Sequence, residues 1–165
     1  MQLAAFNALP PPEAGDLVVS CARIPSFVAT LTAGRPYAAL GDLLATARTA
    51  SGAWTDDEVI AALADHPRIG ERPTGAGAAA ALSGREQAGV DPADDELRRR
   101  LADGNRRYEE RFGRIYLVRA AGRSGTELLD LLERRLTNDP ATELAVTREQ
   151  LAEIALLRLE GQVTA

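Results

Sequence analysis

The stretch "DPADDELRRRLADGNRRYEERFG", residues 91–113, decides the fold class. Asp91 followed by Pro92 is helix-opening chemistry. A short carboxylate can accept free backbone N–H groups, and a proline in the first turn gives up no bond that the helix needs. Asp94, Asp95 and Glu96 then place negative charge where the helix dipole favours it. Leu97, Leu101, Tyr108 and Phe112 recur along one face, and Gly113 supplies the stop. Arg98, Arg99 and Arg100 lie between two leucines of that face and beside three acids, so they read as a solvated helix surface rather than a nucleic-acid patch. Asn105, on or near the apolar stripe, is expected as a buried hydrogen-bonding residue.

The same grammar runs through the rest of the chain. A short helix is expected on Leu17, Val18, Val19 and Ala22, after the break at Pro10, Pro11 and Pro12 and before Pro25. A second runs from about Tyr37 to Ala50, with Leu40, Leu43, Leu44 and Ala47 at i, i+3, i+4 and i+7. Thr55 and Glu58 form a capping box ahead of Val59, Ile60 and Leu63, and Ser124 and Glu127 form another. Asp139-Pro140 opens a last helix that runs to about Gly161. Residues 68–82 read as a Gly/Ala-rich loop entering a helix near its end. Its "GAGAAA" has no preceding strand and no βαβ context, so it is not a dinucleotide fingerprint. Only "RIYLVRA", residues 114–120, looks strand-like. The expected fold is all-α: a single domain over 1–165, a bundle of roughly eight helices with short connections.

Composition narrows the function. The 165 residues are 45% hydrophobic, enough for one core, and the net charge of −5 argues against an anionic partner such as nucleic acid or a membrane surface. No apolar run approaches membrane-spanning length, and the N-terminus lacks the basic segment of a secretory leader. All 19 basic residues are Arg. Without lysine there is no Schiff base, no lysine-anchored pyridoxal phosphate and no P-loop lysine. One Cys and one His leave a structural zinc site short of ligands, and the lone Cys21 points to a reducing, cytoplasmic setting.

Candidate chemistry gathers at a few positions. His66, the only histidine, is followed by Pro67, which disfavours helical backbone at His66 and places it just past a helix end. Partial negative charge at that end favours the imidazolium, and a histidine near neutral pKa is a natural acid or base. In "SGREQ", residues 83–87, Ser83 and Glu86 fit a capping box. The same geometry leaves helix amides facing outward as an anion site, with Gln87 able to donate and accept. A carboxylate and an imidazole that meet can set each other's protonation. Arg158 continues the apolar stripe of Leu144, Leu151 and Ile154, so it must either snorkel out or find an acceptor inside. Ser, His and Asp occur without a G-x-S-x-G elbow, and a Cys21–His66 pair has no supporting motif.

Taken in order, "FNAL" (6–9), "HPRIGER" (66–72), "SGREQAG" (83–89), "NRRYEERFGRIYLV" (105–118), "LLERRLTNDPATEL" (131–144) and "IALLRL" (154–159) resemble the 2-oxo-4-hydroxy-4-carboxy-5-ureidoimidazoline (OHCU) decarboxylases of the urate-to-allantoin route. The resemblance implies an all-α, cofactor-free and metal-free homodimeric carboxy-lyase acting on a small ureidoimidazoline to give (S)-allantoin. It implies that His66 is the catalytic acid/base and Glu86 its acidic partner. Pro67, Ser83 and Gln87 would line the pocket. Backbone groups of Tyr116, Leu117 and Val118 would meet the substrate, and Arg158 would clamp a carboxylate or carbonyl. Two other classes stay open on residues alone. One is a different cofactor-free lyase or hydrolase using the same His–Glu pair. The other is a non-catalytic helical interaction module.

Overall fold

The computed structural model describes residues 1–71, Leu82, Glu86 and 94–165. Among these there are eight α-helices and no β-strand, as the pattern of caps and stripes requires. They are α1 (Leu3–Ala8), α2 (Pro11–Cys21), α3 (Pro25–Ala33), α4 (Leu40–Gly52), α5 (Asp56–Ala62), α6 (Asp95–Phe112), α7 (Gly125–Arg135) and α8 (Pro140–Gln162), with a 3₁₀ turn at Leu63–Asp65 after α5. Leu82 and Glu86 are also helical. The helices sort into two compact units, 1–62 with 151–165, and 63–150.

The caps explain where the helices begin. Glu58 N–H donates to Thr55 Oγ1 at 3.2 Å while Thr55 N–H donates to the Glu58 carboxylate at 2.9 Å. Ser124 and Glu127 repeat the exchange at 3.3 and 2.7 Å. Asp139 accepts from the amides of Ala141 and Thr142 at 3.1 and 3.0 Å and opens α8 one residue before Pro140. Helix α6 starts later than the sequence suggests. Its cap is Asp94, whose carboxylate accepts Leu97 N–H at 2.9 Å. The Asp94 side chain reaches the third helical amide, and that bond sets the start. Asp91 and Pro92 lie outside the described residues.

Two helices escape the apolar pattern, α1 and α3. Pro11 and Pro25 also sit inside the first turns of α2 and α3, where a missing N–H costs nothing, so they start helices rather than break them. The segment 115–120, strand-like in sequence, has no regular secondary structure and no sheet partner. The one bridge among the described residues joins Gln2 and Thr164, so residues near the two ends of the chain pair.

In the first unit Phe6, Val18, Phe27, Leu31, Leu43 and Leu159 are fully buried. Asn7 clamps Tyr37 from both sides, its amide donating to the Tyr37 carbonyl at 2.9 Å and its carbonyl accepting the Tyr37 N–H at 3.0 Å. In the second unit Leu101, Tyr108 and Phe112 of α6 pack with Leu128, Leu129 and Leu132 of α7 and with Tyr116 and Val118 between them. Gly104 makes room for the neighbouring helix: a Cβ there would lie 2.5 Å from Leu132 Cδ2. The arginine run on the other face is exposed, and Arg98 and Arg99 pair with Asp95 and Glu96.

A buried ion pair crosses this second core. Arg135 donates through Nε and Nη2 to Glu143 Oε1 at 2.8 and 2.6 Å, and through Nη1 to the Leu117 carbonyl at 2.6 Å. Its plane lies over Tyr116, 4.8 Å from the ring centroid. Glu143 also accepts from the Tyr108 hydroxyl and, at 2.8 Å, from Asn138 Nδ2. Burial is the largest single influence on Arg135 and works against its charge, but the hydrogen bonds and charge of Glu143, together with the nearby Tyr108 and Tyr116, raise its pKa. Burial raises the Tyr108 pKa, and the carboxylate beside it raises it further.

Removing one member of a buried pair strands the other charge. Glu143→Ala is therefore expected to cost about 3–5 kcal/mol in urea unfolding, and Arg135→Met with Glu143→Leu is expected to recover only part of that loss, because the Leu117 carbonyl and the Tyr108 hydroxyl lose their partners. A single-variant cost below about 1 kcal/mol, the range of exposed pairs, would contradict this reading.

Candidate active site

His66 follows the 3₁₀ turn that continues α5, and its N–H donates to the Leu63 carbonyl at 3.1 Å. The side chain is half-buried, with Nε2 out of contact with solvent. The residues after it are fastened to one face of α6. Arg68 forms a two-pronged pair with Glu109, Nε to Oε1 at 2.5 Å and Nη2 to Oε2 at 2.8 Å. The Ile69 carbonyl accepts from Asn105 Nδ2 at 3.0 Å, and the Ile69 side chain is buried in the core. Gly70 has φ +87°, a left-handed backbone that glycine adopts without strain, and it lies against Leu101. Leu101, Asn105 and Glu109 are four residues apart, so one helical stripe carries all three contacts. The Arg68 hydrogen bonds hold the Glu109 carboxyl below the usual carboxylate range.

Asn105 is thus the buried hydrogen-bonding residue that the stripe predicts, 3% exposed. Glu86 is helical and half-buried. Ser83 and Gln87, and with them the Ser83–Glu86 capping box, lie outside the described residues, as does Arg72.

Tyr116, Leu117 and Val118 are buried. The Tyr116 hydroxyl donates to the Leu128 carbonyl at 3.2 Å, and Leu117 C=O is the oxygen held by Arg135. Just beyond, Arg119 N–H donates to Gln150 Oε1 at 3.0 Å. The segment is therefore tied at three points, two on α7 and one on α8. A substrate meeting its backbone would find Leu117 C=O already engaged by a guanidinium.

Arg158 is 5% exposed, so of the two options on the apolar stripe it takes the buried one. It belongs to the first unit, whereas His66, Pro67, Glu86 and 116–118 belong to the second. The charge of Arg158 acts on Cys21, which is fully buried. Gln162 Nε2 donates to Cys21 Sγ at 3.3 Å and to Ser20 Oγ at 2.8 Å. Burial pushes the Cys21 thiol up to about 12, more than these neighbours lower it. Such a thiol carries almost no thiolate at neutral pH, which removes the Cys21 nucleophile from consideration.

Sequence reasoning passed over Arg68, Glu109, Arg135 and Glu143. Their partners are 41 and 8 positions away, across turns that no periodicity encodes. A faint signal existed for Glu109: it follows Asn105 by four residues on the helix that already carried the stripe.

The sequence model of the OHCU decarboxylase family matches residues 7–160. The chain is 32% identical over 152 residues to a 2-oxo-4-hydroxy-4-carboxy-5-ureidoimidazoline decarboxylase of Amia calva, covering 88% of this chain and 83% of that protein. It is 31% identical over 147 residues to the protein of the same name from Mus musculus, covering 88% and 81%. Among solved structures it is similar to an OHCU decarboxylase crystallised in the presence of (S)-allantoin, with TM-score 0.74, 24% identity, and 86% and 93% of the two chains covered. An (S)-allantoin synthase aligns with TM-score 0.73 and 16% identity, over 99% of this chain and 54% of the other. At those identities the structural likeness speaks for the fold.

The burial of Cys21 has a direct readout. In the native protein a chromogenic disulfide reagent at pH 8 is expected to leave the thiol unlabelled, with stoichiometric reaction only after denaturation. Rapid labelling of native protein would show an accessible, activated thiol and return Cys21 to the candidates.

Proposed function

The chain belongs to the OHCU decarboxylase family, and from that premise we propose that it converts 2-oxo-4-hydroxy-4-carboxy-5-ureidoimidazoline to (S)-allantoin in urate degradation, with His66 as the acid/base. The observation that carries the reading is the family match over 7–160, which includes His66 and its fastened "HPRIG" segment. We read residues 1–165 as one such domain, since the match runs through both compact units.

The chemistry suits a site without metal or organic cofactor. The substrate carries a carboxylate and a hydroxyl on one ring carbon, next to a ring C=N. When the C–COO⁻ bond breaks, carbon dioxide leaves and the electron pair moves into that C=N, whose nitrogen takes up a proton. The enol so formed then loses its hydroxyl proton and gains one on the carbon bearing the ureido group. The electron sink belongs to the substrate. What remains for the protein is to hold the ring so that the breaking bond stands perpendicular to it, to stabilise the enol, and to deliver a proton to one face.

In this account His66, paired with Glu86, moves the hydroxyl proton or the final one. An imidazole near neutral pKa exchanges protons in both directions, which each of those steps requires. Ser83, Gln87 and the backbone of 116–118 hold the polar atoms of the ring and the ureido group, with Pro67 as pocket wall. Arg158 grips a carboxylate or carbonyl; a guanidinium kept in low exposure suits a planar acceptor better than an ammonium would. The protein acts as a cytoplasmic homodimer, in line with the family resemblance and with a lone cysteine that has no partner for an internal disulfide.

The test follows allantoin formation by circular dichroism, with substrate generated from urate by urate oxidase and hydroxyisourate hydrolase. Wild type is expected to give one enantiomer rapidly, and His66→Asn to slow it by about a hundredfold or more, the range for loss of a general acid/base. Slow racemic product with both proteins would refute the activity, and full turnover by His66→Asn would refute the role of His66.

A further inference from the structure

Residue His66 owes its place to contacts made by its neighbours, and those contacts converge on one stripe of α6. Arg68 meets Glu109 through two parallel bonds of 2.5 and 2.8 Å, the geometry in which a guanidinium can take only one orientation against a carboxylate. The side chains are 42% and 30% exposed. Exposed pairs add little to stability, so a well-formed fork at this position does more for geometry than for folding. One residue on, the Ile69 carbonyl is held by Asn105 at 3.0 Å and its side chain is sunk in the core. On the other side, His66 N–H is tied to Leu63. The imidazole therefore sits on a span only two residues long, between a 3₁₀ turn and the first fastening at Arg68, and Pro67 removes much of the freedom that span would otherwise have.

We propose that Glu109 and Asn105 are positioning residues for His66: through the Arg68 guanidinium and the Ile69 carbonyl they fix where the imidazole stands. The proposal rests on the reading of His66 as the acid/base, and it extends that reading to a helix face with no assigned part in the reaction. Proton transfer is steep in geometry, so loosening the mount costs turnover before it costs binding. Glu109 does its work without touching substrate.

The lone histidine makes the proposal directly testable, because its imidazole gives the only side-chain histidine signals in the NMR spectrum. Glu109→Gln keeps the size of the side chain and loses the ionic fork. Its Tm is expected to stay within about 2 °C of wild type, as befits an exposed pair. The imidazole signals are expected to broaden or split into more than one set. In the circular dichroism assay kcat is expected to fall about tenfold with KM within twofold, a modest part of what mispositioning can cost. Arg68→Gln is expected to behave in the same way, and the double variant to be no worse than either single, since both substitutions open the same link. Sharp, single imidazole signals in Glu109→Gln and Arg68→Gln would overturn the proposal, whatever turnover does. If the signals broaden but wild type forms no allantoin, the positioning role stands and the decarboxylase reading fails.

Discussion

The second compact unit turns on one buried guanidinium. Arg135 reaches a carboxylate on α8, a carbonyl in the irregular segment 115–120, and the faces of two tyrosines, while its own helix packs on α6 through Gly104 and Leu132. A sheetless segment such as 115–120 has backbone groups that no ladder satisfies, and buried carbonyls without partners are costly. Arg135 satisfies one of them and Gln150 satisfies the neighbouring N–H of Arg119. This is why a stretch with strand-like composition can run buried between helices without being a strand. A hydrophobic pair in place of Arg135 and Glu143 could fill the volume, but it would leave Leu117 C=O and the Tyr108 hydroxyl without their present partners.

The same unit shows two ways of holding a polar side chain. The Arg135–Glu143 pair is fully desolvated, and breaking it is a stability event. The Arg68–Glu109 pair is half in water, and its value lies in direction. The first steadies the helices; the second steadies a short loop on them. Ile69, three residues after His66, belongs to the same core cluster as Leu101, Tyr108 and Tyr116, and Tyr108 and Tyr116 are the rings that Arg135 covers. In the first unit, Arg158 shows a third case: a guanidinium buried beside a thiol whose burial keeps it protonated.

What could be read from the chain alone was what is local. Thr55 with Glu58, Ser124 with Glu127, and Asp139 with Pro140 announce helix starts because donor and acceptor are within a few residues of each other. His66 was legible through its uniqueness and its proline, and Arg158 through a charge on an apolar stripe. Helices α1 and α3 were not legible: each is under three turns long, and Pro25 reads as a stop when it is in fact a first-turn residue. The start of α6 is ambiguous in sequence because Asp91 and Asp94 both fit the rule for a cap, and the helix uses Asp94. Arg135 was invisible for a different reason. In "LLERRL" either arginine could face inward, and only the fold brings Glu143 to Arg135 while Arg134 stays at the surface. The loop's attachment to Glu109 is likewise a tertiary fact, written nowhere in the order of residues.

The proposed chemistry requires His66 to meet the ureidoimidazoline, and the most direct measurement is a crystal structure of the protein with (S)-allantoin. The predicted result is the allantoin ring within hydrogen-bonding distance of the His66 imidazole, with the "HPRIG" segment still fastened to Asn105 and Glu109. Allantoin bound away from His66, or an imidazole turned from the ligand in a fully occupied site, would contradict it.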